Sequence, residues 1–315
     1  MKNMLNYFAA LALATGSLAV QNNSFAGELN RVTYHTNKID GLNIFYREAG
    51  DPSRPTIVLL HGFPSSSHMY RDLIPKLATR YHVIAPDYPG FGYSDQPAAA
   101  DFGYTFDHLA AVTDDLLNSL KLEKYSIYIQ DYGSPVGFRL LLKHPARISA
   151  IITQNGNAYE AGLSPAWQPF RDYWADKSST NEAKLRGFLT LDTTKFQYSA
   201  GFRNPAHVSP DAWTHDQLTL DKPGNAEIQL ALFYDYQNNV KQYDAWHAAL
   251  RAHQPPVLAV WGKNDPIFIP PGALAFTNDV PDAEIHLLDT GHFALEEDGN
   301  VIADYILKFL QTNLK

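Results

Sequence analysis

The sequence predicts an α/β fold built on a mainly parallel sheet that is covered by helices. From residue 31 onward, strand-like runs alternate with helix-like segments, and most of these runs are apolar along their whole length. Strands buried on both faces show such continuous apolar runs, as in parallel sheets. The eight predicted strands are Arg31–His35, Asn43–Glu48, Thr56–Leu60, His82–Ala85, Tyr125–Gln130, Ile148–Thr153, Val257–Trp261 and Glu284–Leu288.

Helix-like segments connect these strands. Short turns such as "KIDGLN" join the first strands, which predicts an antiparallel edge, because parallel neighbours need a longer crossover. Elsewhere the connections are long enough to hold helices. The predicted helices are Met69–Thr79, Phe106–Leu120, Val136–Lys143 and a closing helix over Val301–Thr312.

The segment 156–255 interrupts this alternation. It is rich in Trp, Tyr and Phe and contains no strand-like run of comparable strength. Within it, Ser209 followed by Pro210 is typical of a helix start. We therefore predict a helical insertion between the sixth and seventh strands. The sheet domain then divides into a first part, 27–155, and a second part, 256–315.

Composition excludes several classes of function. The 315 residues include 45% hydrophobic and 18% charged residues, as in an ordinary globular protein. A formal charge of −8 argues against nucleic acid as a partner, because binding phosphates requires a basic surface. The absence of cysteine excludes thiol nucleophiles, disulfides and zinc–thiolate sites. The histidines show no metal-ligand spacing, so we predict neither a metal nor a cofactor.

The N-terminal residues have the features of an export signal. Lys2 precedes an uncharged, largely apolar stretch, Met4–Val20. Ser24 and Ala26 then supply small residues at the −3 and −1 positions of a signal-peptidase site. We expect residues 1–26 to be removed and the product to be soluble, and periplasmic or secreted. No other segment is long and apolar enough to span a bilayer.

A carboxylate stands at a sharp corner between a buried strand and a helix. The fifth strand ends at Gln130, Asp131 occupies the corner, and Gly133 is the small neighbour that a tight turn requires. A nucleophile elbow has this form, although Ile129 replaces the first glycine of the G-x-S-x-G pattern. The alternative at this point is an aspartate that only caps the following helix.

Three further segments follow other strands. "HGFP" comes after the third strand and provides a turn whose backbone N–H groups can point into a site. Asp265 follows the seventh strand, and His292 follows the eighth. Open α/β sheets build their sites beyond the carboxyl ends of parallel strands. We therefore expect Asp131, Asp265 and His292 to lie close together.

These motifs together resemble the α/β-hydrolase superfamily over nearly the whole mature length. They are "HGFP", "VIAPDYPGFGYSD", the corner at Asp131, "WGKNDPIF" and "TGHF", in the family's order of nucleophile, acid and histidine. The resemblance implies an eight-stranded sheet flanked by helices, with a helical cap after the sixth strand. An aspartate at the elbow, where most members have serine, is similar to the epoxide hydrolase and haloalkane dehalogenase branch.

The resemblance also implies a role for each residue. A carboxylate at Asp131 would displace a leaving group at an sp³ carbon and form an alkyl-enzyme ester. Water activated by His292 would then attack the carbonyl carbon of Asp131, while Asp265 orients the imidazole and stabilises its cation. Backbone N–H groups of Phe63 and Tyr132 would hold the resulting oxyanion.

Epoxide hydrolases of this fold supply an acid to the opening ring from tyrosines of the cap. The stretch "ALFYDYQN" resembles the late-cap segment that carries such a tyrosine, and its best match is Tyr236, with Tyr234 as the fallback. Tyr173 is our choice for its partner. Cap aromatics that simply pack are the competing explanation. The leading expectation is an epoxide hydrolase acting on a small uncharged organic substrate with water.

Haloalkane dehalogenases instead need N–H donors for the departing halide. That family usually has a Trp after the nucleophile and an Asn after His-Gly, where this chain has Tyr132 and Phe63. Trp167 or Trp174 of the cap could donate in their place, so dehalogenation stays the alternative. Both cap tryptophans are predicted to contribute to substrate binding, together with the cap tyrosines.

Two other kinds of protein are alternatives to an aspartate-nucleophile enzyme. A catalytically silent binding or effector protein would have no chemical need for an intact triad. A serine esterase would have to use Ser134, which lies three residues past the corner, inside the first helical turn. We expect structural roles for His61, which supports the "HGFP" turn, and for Asp87, which fixes the turn after the fourth strand. Asn155, an amide, leaves the role of acid to Asp265.

Overall fold

The computed structural model describes residues 30–314, so the predicted signal peptide lies outside the described residues. Eight strands form one sheet in the order β1-β2-β4-β3-β5-β6-β7-β8. The two pairs that involve β2 are antiparallel and the other five are parallel. This confirms the predicted mainly parallel sheet with an antiparallel edge. The strands are β1 (Thr33–Ile39), β2 (Leu42–Ala49), β3 (Thr56–Leu60), β4 (His82–Pro86), β5 (Tyr125–Ile129), β6 (Ile148–Thr153), β7 (Val257–Gly262) and β8 (Glu284–Leu288).

Helices cover both faces of the sheet. Side chains of β5 point alternately into two apolar cores, with Ile127 in one and Tyr128 in the other. Both residues are fully buried, as expected for a central parallel strand. The helices of the described residues are α1 (Ile74–Leu77), α2 (Ala99–Phe102), α3 (Phe106–Ser119), α4 (Gly133–Lys143), α5 (Gln168–Ala175), α6 (Ser179–Arg186), α7 (Leu191–Ser199), α8 (Pro210–Leu220), α9 (Asn225–His253), α10 (Pro270–Ala275) and α11 (Leu295–Asn313).

All four predicted helices differ in their bounds from the structure, two of them by only one to three residues. A single helix over Met69–Thr79 is wrong, because the chain forms a 3₁₀ turn at Ser67–Tyr70 and then the short α1. Pro75 explains the break, since it has no N–H to donate and its ring would clash with the preceding turn of a continuous helix. The closing helix begins at Leu295 rather than at Val301 and contains a kink at Asp298, where φ is −116°.

Five helices, α5 to α9, lie between β6 and β7 and form the cap. The long α9 begins after Gly224, which has a left-handed conformation, and its last residue is His253. Arg139 of α4 donates to the amide oxygen of Asn239 on α9 at 2.8 Å, which fastens the cap to the sheet domain. The helical cap after the sixth strand is therefore present, while its bounds 156–255 stay a prediction. Within residues 30–314, no helix is long and apolar enough to cross a membrane.

Candidate active site

The corner after β5 has a strained backbone. Asp131 has a φ of 48°, which is uncommon for a residue other than glycine and marks a position held by its surroundings. Gly133 makes this corner possible, because a Cβ there would lie 2.0 Å from the carbonyl oxygen of Leu60. Tyr132 occupies the N-cap position of α4. Asp131 therefore lies one residue before the N-cap of α4, in the geometry of a nucleophile elbow.

The Asp131 carboxylate presents its two oxygens to different partners. Oδ1 accepts hydrogen bonds from the backbone N–H groups of Phe63 at 2.8 Å and Tyr132 at 2.6 Å. Oδ2 lies 3.9 Å from Nε2 of His292 and accepts neither of those bonds. The two backbone N–H groups that were predicted to bind an oxyanion therefore converge on Oδ1, and Oδ2 is left free to react.

Burial dominates the acidity of this carboxyl group. Desolvation raises the pKa of Asp131 to about 6, although the charge of His292 and the two N–H bonds act in the opposite direction. The charged form still dominates near neutral pH. Partial compensation of this kind leaves a carboxylate that is ionised but poorly solvated, which suits a nucleophile.

His292 is fully buried and its imidazole is oriented by Asp265. Nδ1 of His292 lies 2.8 Å from Oδ2 of Asp265. Burial lowers the pKa of His292, but the charge and hydrogen bond of Asp265, together with the charge of Asp131, raise it above its ordinary value. Asp265 also accepts the backbone N–H of Ile267 at 2.7 Å and the side-chain amide of Asn155 at 2.8 Å. The structure thus brings together all three residues of the predicted triad.

Sequence reasoning missed two amides beside the histidine. Nε2 of the Gln130 side chain lies 2.9 Å from Nε2 of His292, the imidazole nitrogen that faces Asp131. Gln154 donates to the backbone carbonyl of His292 at 2.8 Å. Each glutamine ends or follows an apolar parallel strand at its carboxyl end, and that position was the available signal. Strand-end polar residues often serve only the backbone, so this position alone does not identify a site residue.

The residues expected to have structural roles do so. Nε2 of His61 accepts the backbone N–H of Tyr88 at 3.3 Å, which ties the "HGFP" turn to the chain after β4. Asp87 accepts backbone N–H groups of Ser67 and Tyr93, at 2.7 and 2.9 Å. The buried hydroxyl of Ser134 donates to the carbonyl of Asn157 at 2.8 Å. This hydroxyl contacts neither His292 nor Asp265, so a serine-nucleophile geometry is not present.

A cavity of about 160 Å³ opens beside Asp131, between the sheet domain and the cap. Its polar side chains, apart from Asp131 and Tyr132, are Thr193 and Gln197 of α7. The rest of the lining is mostly aromatic and aliphatic, which is typical of sites for small uncharged molecules. Its aromatic side chains include Phe63, Trp167, Phe170, Phe188, Phe196 and Phe233.

Comparisons with known proteins agree with this geometry. Residues 55–299 match the family described as alpha/beta hydrolase fold. The chain belongs to the α/β-hydrolase family. It is 46% identical over 278 residues to an uncharacterized hydrolase of Saccharomyces cerevisiae, covering 87% of this chain and 95% of that protein. It is 31% identical to haloalkane dehalogenase 1 of Mycobacterium tuberculosis, covering 82% and 84%.

A solved structure shares the fold of this α/β-hydrolase. The epoxide hydrolase CorEH superposes with a TM-score of 0.72 at 22% identity, over 90% of this chain and 99% of that one. At that identity the superposition supports the fold alone.

The two cap tryptophans of this α/β-hydrolase already use their indole N–H groups. Trp167 lines the cavity, and its Nε1 donates to the carbonyl of Ile267 at 3.2 Å. Trp174 does not line the cavity, and its Nε1 donates to the carbonyl of Phe233 at 2.7 Å. Neither indole is therefore free to bind a departing halide in this structure.

The cap tyrosines lie behind the cavity wall rather than in it. Tyr236 packs on Trp167 and Tyr132, with ring centroids 4.5 and 6.2 Å apart. Burial raises the pKa of Tyr236 well above its ordinary value, and the Tyr243 hydroxyl beside it and the charge of Asp131 add to this effect.

The Tyr243 hydroxyl lies beside the Tyr236 hydroxyl, but among the described residues no group is positioned to form a well-aligned hydrogen bond with it. Tyr173 packs against Tyr234 at 5.6 Å, and neither residue lines the cavity. Across residues 30–314, no group of three or more acidic or histidine side chains is arranged to hold a metal ion.

Proposed function

We propose that this α/β-hydrolase is an epoxide hydrolase that forms an alkyl-enzyme ester on Asp131. The supporting observation is the kind of donor available near the nucleophile. Both cap indole N–H groups bind backbone carbonyls, whereas the buried phenol of Tyr132 lines the cavity without a hydrogen-bond partner in the described part of the chain. The phenol of Tyr236 has the Tyr243 hydroxyl beside it. A phenol can give a proton to an alkoxide, which an epoxide produces and a haloalkane does not.

The first step uses the free oxygen of Asp131. Because Oδ1 is held by two backbone N–H groups, Oδ2 attacks an epoxide carbon from the cavity side. The new C–O bond forms as the ring C–O bond breaks, and the electron pair stays on the former epoxide oxygen. Tyr236, which lies behind Trp167 and Tyr132, must turn its hydroxyl into the cavity to donate its proton to this oxygen. The products of this step are a hydroxyalkyl ester on Asp131 and a phenolate on Tyr236.

The second step uses His292 as a general base. Nε2 takes a proton from water, whose oxygen attacks Cγ of Asp131 and forms a tetrahedral intermediate. The negative charge develops on Oδ1, which already accepts the N–H groups of Phe63 and Tyr132, so little reorganisation is needed. Asp265 stabilises the imidazolium at 2.8 Å. Collapse of the intermediate breaks the Cγ–Oδ2 bond, and the departing oxygen takes the proton of the newly formed carboxyl group, which restores the carboxylate and releases a vicinal diol. The proton held by His292 returns to the Tyr236 phenolate through water.

Tyr236 is suited to hold a proton until the ring opens. Its raised pKa keeps the phenol protonated at neutral pH, and the same negative charge of Asp131 that raises the pKa weakens once the ester forms. Its ring contacts Trp167 and Tyr132, which line the cavity, so the ring lies directly behind that wall. Tyr173 remains the proposed partner, although its ring lies farther back, against Tyr234.

Intact-protein mass spectrometry of a His292→Gln variant tests this proposal. Without the base the ester accumulates, so we expect an added mass equal to the whole epoxide, located on Asp131. A His247→Gln variant is the matched control, because that histidine contacts the backbone of Ala158, away from Asp131, and its variant should turn over without accumulating ester. An alkyl adduct with released halide would favour dehalogenation, and no adduct with either class would favour a silent binding protein.

We also propose that the protein is exported to the periplasm or secreted. The apolar stretch after Lys2 and the small residues Ser24 and Ala26 support this proposal. Mass analysis of the mature protein after expression in a secreting host should give a first residue of Gly27. A full-length chain retained in the cytoplasm would contradict export.

A further inference from the structure

Gln197 lines the cavity and has a buried amide nitrogen without a partner. It lies on α7, lines the cavity and is only 4% exposed. Its Nε2 is fully buried and has no hydrogen-bond partner in residues 30–314. Buried donors in folded proteins are almost always paired, so an unpaired donor in a substrate cavity points to a missing ligand atom.

Two other polar side chains of this part of the cap, Thr193 and Gln217, have hydrogen-bond partners. Thr193, the other polar residue that α7 contributes to the cavity, donates to the carbonyl of Gly187 at 2.8 Å. Gln217 of α8 donates to the carbonyl of Leu189 at 3.1 Å and to Asp221 at 2.7 Å. Two cap amides of α9, Gln229 and Asn239, also keep one unpaired atom, but neither residue lines the cavity.

The helix that carries Gln197 contacts both the neighbouring cap helix α8 and the sheet domain. The hydroxyl of Tyr198, the next residue, donates to the buried carboxylate of Asp216 at 2.6 Å. The ring of Tyr198 stacks on Phe293 with centroids 3.9 Å apart, beside the catalytic histidine. On the other side, Phe196 lines the cavity and is 54% exposed. Gln197 lies between these two residues on α7 and also lines the cavity.

We propose that Gln197 binds an uncharged oxygen of the substrate, away from the carbon that Asp131 attacks. An amide offers an N–H donor and a carbonyl acceptor, so it recognises a carbonyl or hydroxyl group. Charged substrates are disfavoured, because the one charged side chain of the lining is Asp131 and the rest is mostly apolar.

Combined with the proposed function, on which this part of the inference rests, Gln197 defines a substrate class. The class is that of epoxides whose substituent carries a carbonyl or hydroxyl oxygen. The cavity of about 160 Å³ limits the substituent. An engineered apolar cavity of about 150 Å³ holds benzene, which sets the scale for the bound molecule.

A binding experiment tests the role of Gln197 without relying on turnover. The probes are cyclohexanone and methylenecyclohexane, which have the same size and differ by an oxygen in place of a CH₂ group. Ligand-observed NMR would give the dissociation constant of each probe for the wild type and for Gln197→Met. We expect the substitution to weaken cyclohexanone relative to methylenecyclohexane by about tenfold, the value of one neutral hydrogen bond in a dry site.

The matched control is Thr193→Val, on the same helix and in the same cavity. Because the Thr193 hydroxyl is already bound to the backbone, this variant should change both dissociation constants by the same factor. Retained binding of methylenecyclohexane shows that the variant cavity is folded, and Gln197→Leu replaces the methionine variant if it is not. An unchanged ratio of the two constants in the Gln197 variant would overturn the inference. That result would not affect the proposal of an ester on Asp131. Conversely, a missing ester adduct would contradict the proposed function without changing the measured ratio of dissociation constants.

Discussion

Replacing the proposed nucleophile should stabilise the fold at neutral pH. Asp131→Asn keeps the shape of the side chain and an oxygen to accept the N–H groups of Phe63 and Tyr132, but it removes a buried charge. Burial raises the pKa of Asp131 to about 6 from an ordinary value of 3.8. That difference corresponds to about 3 kcal/mol, since each pKa unit is worth about 1.36 kcal/mol.

The direction of this effect on the free energy of unfolding depends on whether the folded or the unfolded state binds the Asp131 proton more tightly. The folded state holds the Asp131 proton more tightly than the unfolded chain, so its contribution to stability is complete below about pH 4 and is lost as the pH rises through about 6. The asparagine variant has no such loss. Relative to the wild type, its free energy of unfolding should therefore rise by about 3 kcal/mol between pH 4 and pH 8.

Urea unfolding at several pH values measures this difference. Asp282→Asn, which removes an exposed carboxylate, controls for the loss of one negative charge. If the difference in free energy of unfolding between Asp131→Asn and the wild type were the same at every pH, the reasoning would be refuted. It would mean that desolvation does not destabilise the charged form of Asp131. Activity of the variant should be lost at every pH, since the amide is not a nucleophile.

Three further outcomes follow from the site. Gly133→Ala should lower the free energy of unfolding by about 2 kcal/mol or more, because its Cβ would lie 2.0 Å from a backbone oxygen; Gly187→Ala, with no atom within 4 Å, should not, and equal effects in urea unfolding would contradict this. Epoxide turnover should decline below about pH 6, because Asp131 must be ionised and the raised pKa of His292 works in the same direction; a flat profile of kcat/KM from pH 5 to 8 would contradict it. Tyr236→Phe should slow ester formation in single-turnover experiments by about a hundredfold, whereas an unchanged rate would remove Tyr236 as the acid.

The sheet and the triad could be predicted because their signals are local. Each buried strand is a short apolar run, and the residues that follow β5, β7 and β8 must meet at one edge of a parallel sheet. Asp131, Asp265 and His292 could therefore be placed together before any coordinates. The prediction of a continuous helix over Met69–Thr79 was wrong for an equally local reason, because Pro75 interrupts it.

The lining of the cavity could not be predicted in the same way. Which cap residue faces the substrate depends on how α5 to α9 pack on one another, and these contacts join residues far apart in the chain. Among the nominated cap residues Trp167 lines the cavity, whereas Tyr236 stands one layer behind it. Nothing in the sequence distinguishes Gln197 from the other polar residues of the cap, because its unpaired amide exists only once the fold has formed.

The most direct test of the central claim is a single turnover in water labelled with ¹⁸O, with enzyme in excess over epoxide. If Asp131 forms an ester, the new diol oxygen comes from the carboxylate, and the label enters Asp131 instead. We therefore expect an unlabelled diol and ¹⁸O in the Asp131 peptide, with the Asp265 peptide unlabelled as an internal control. A diol that carries the label after one turnover, with an unlabelled Asp131, would show direct attack of water on the epoxide and would contradict the account.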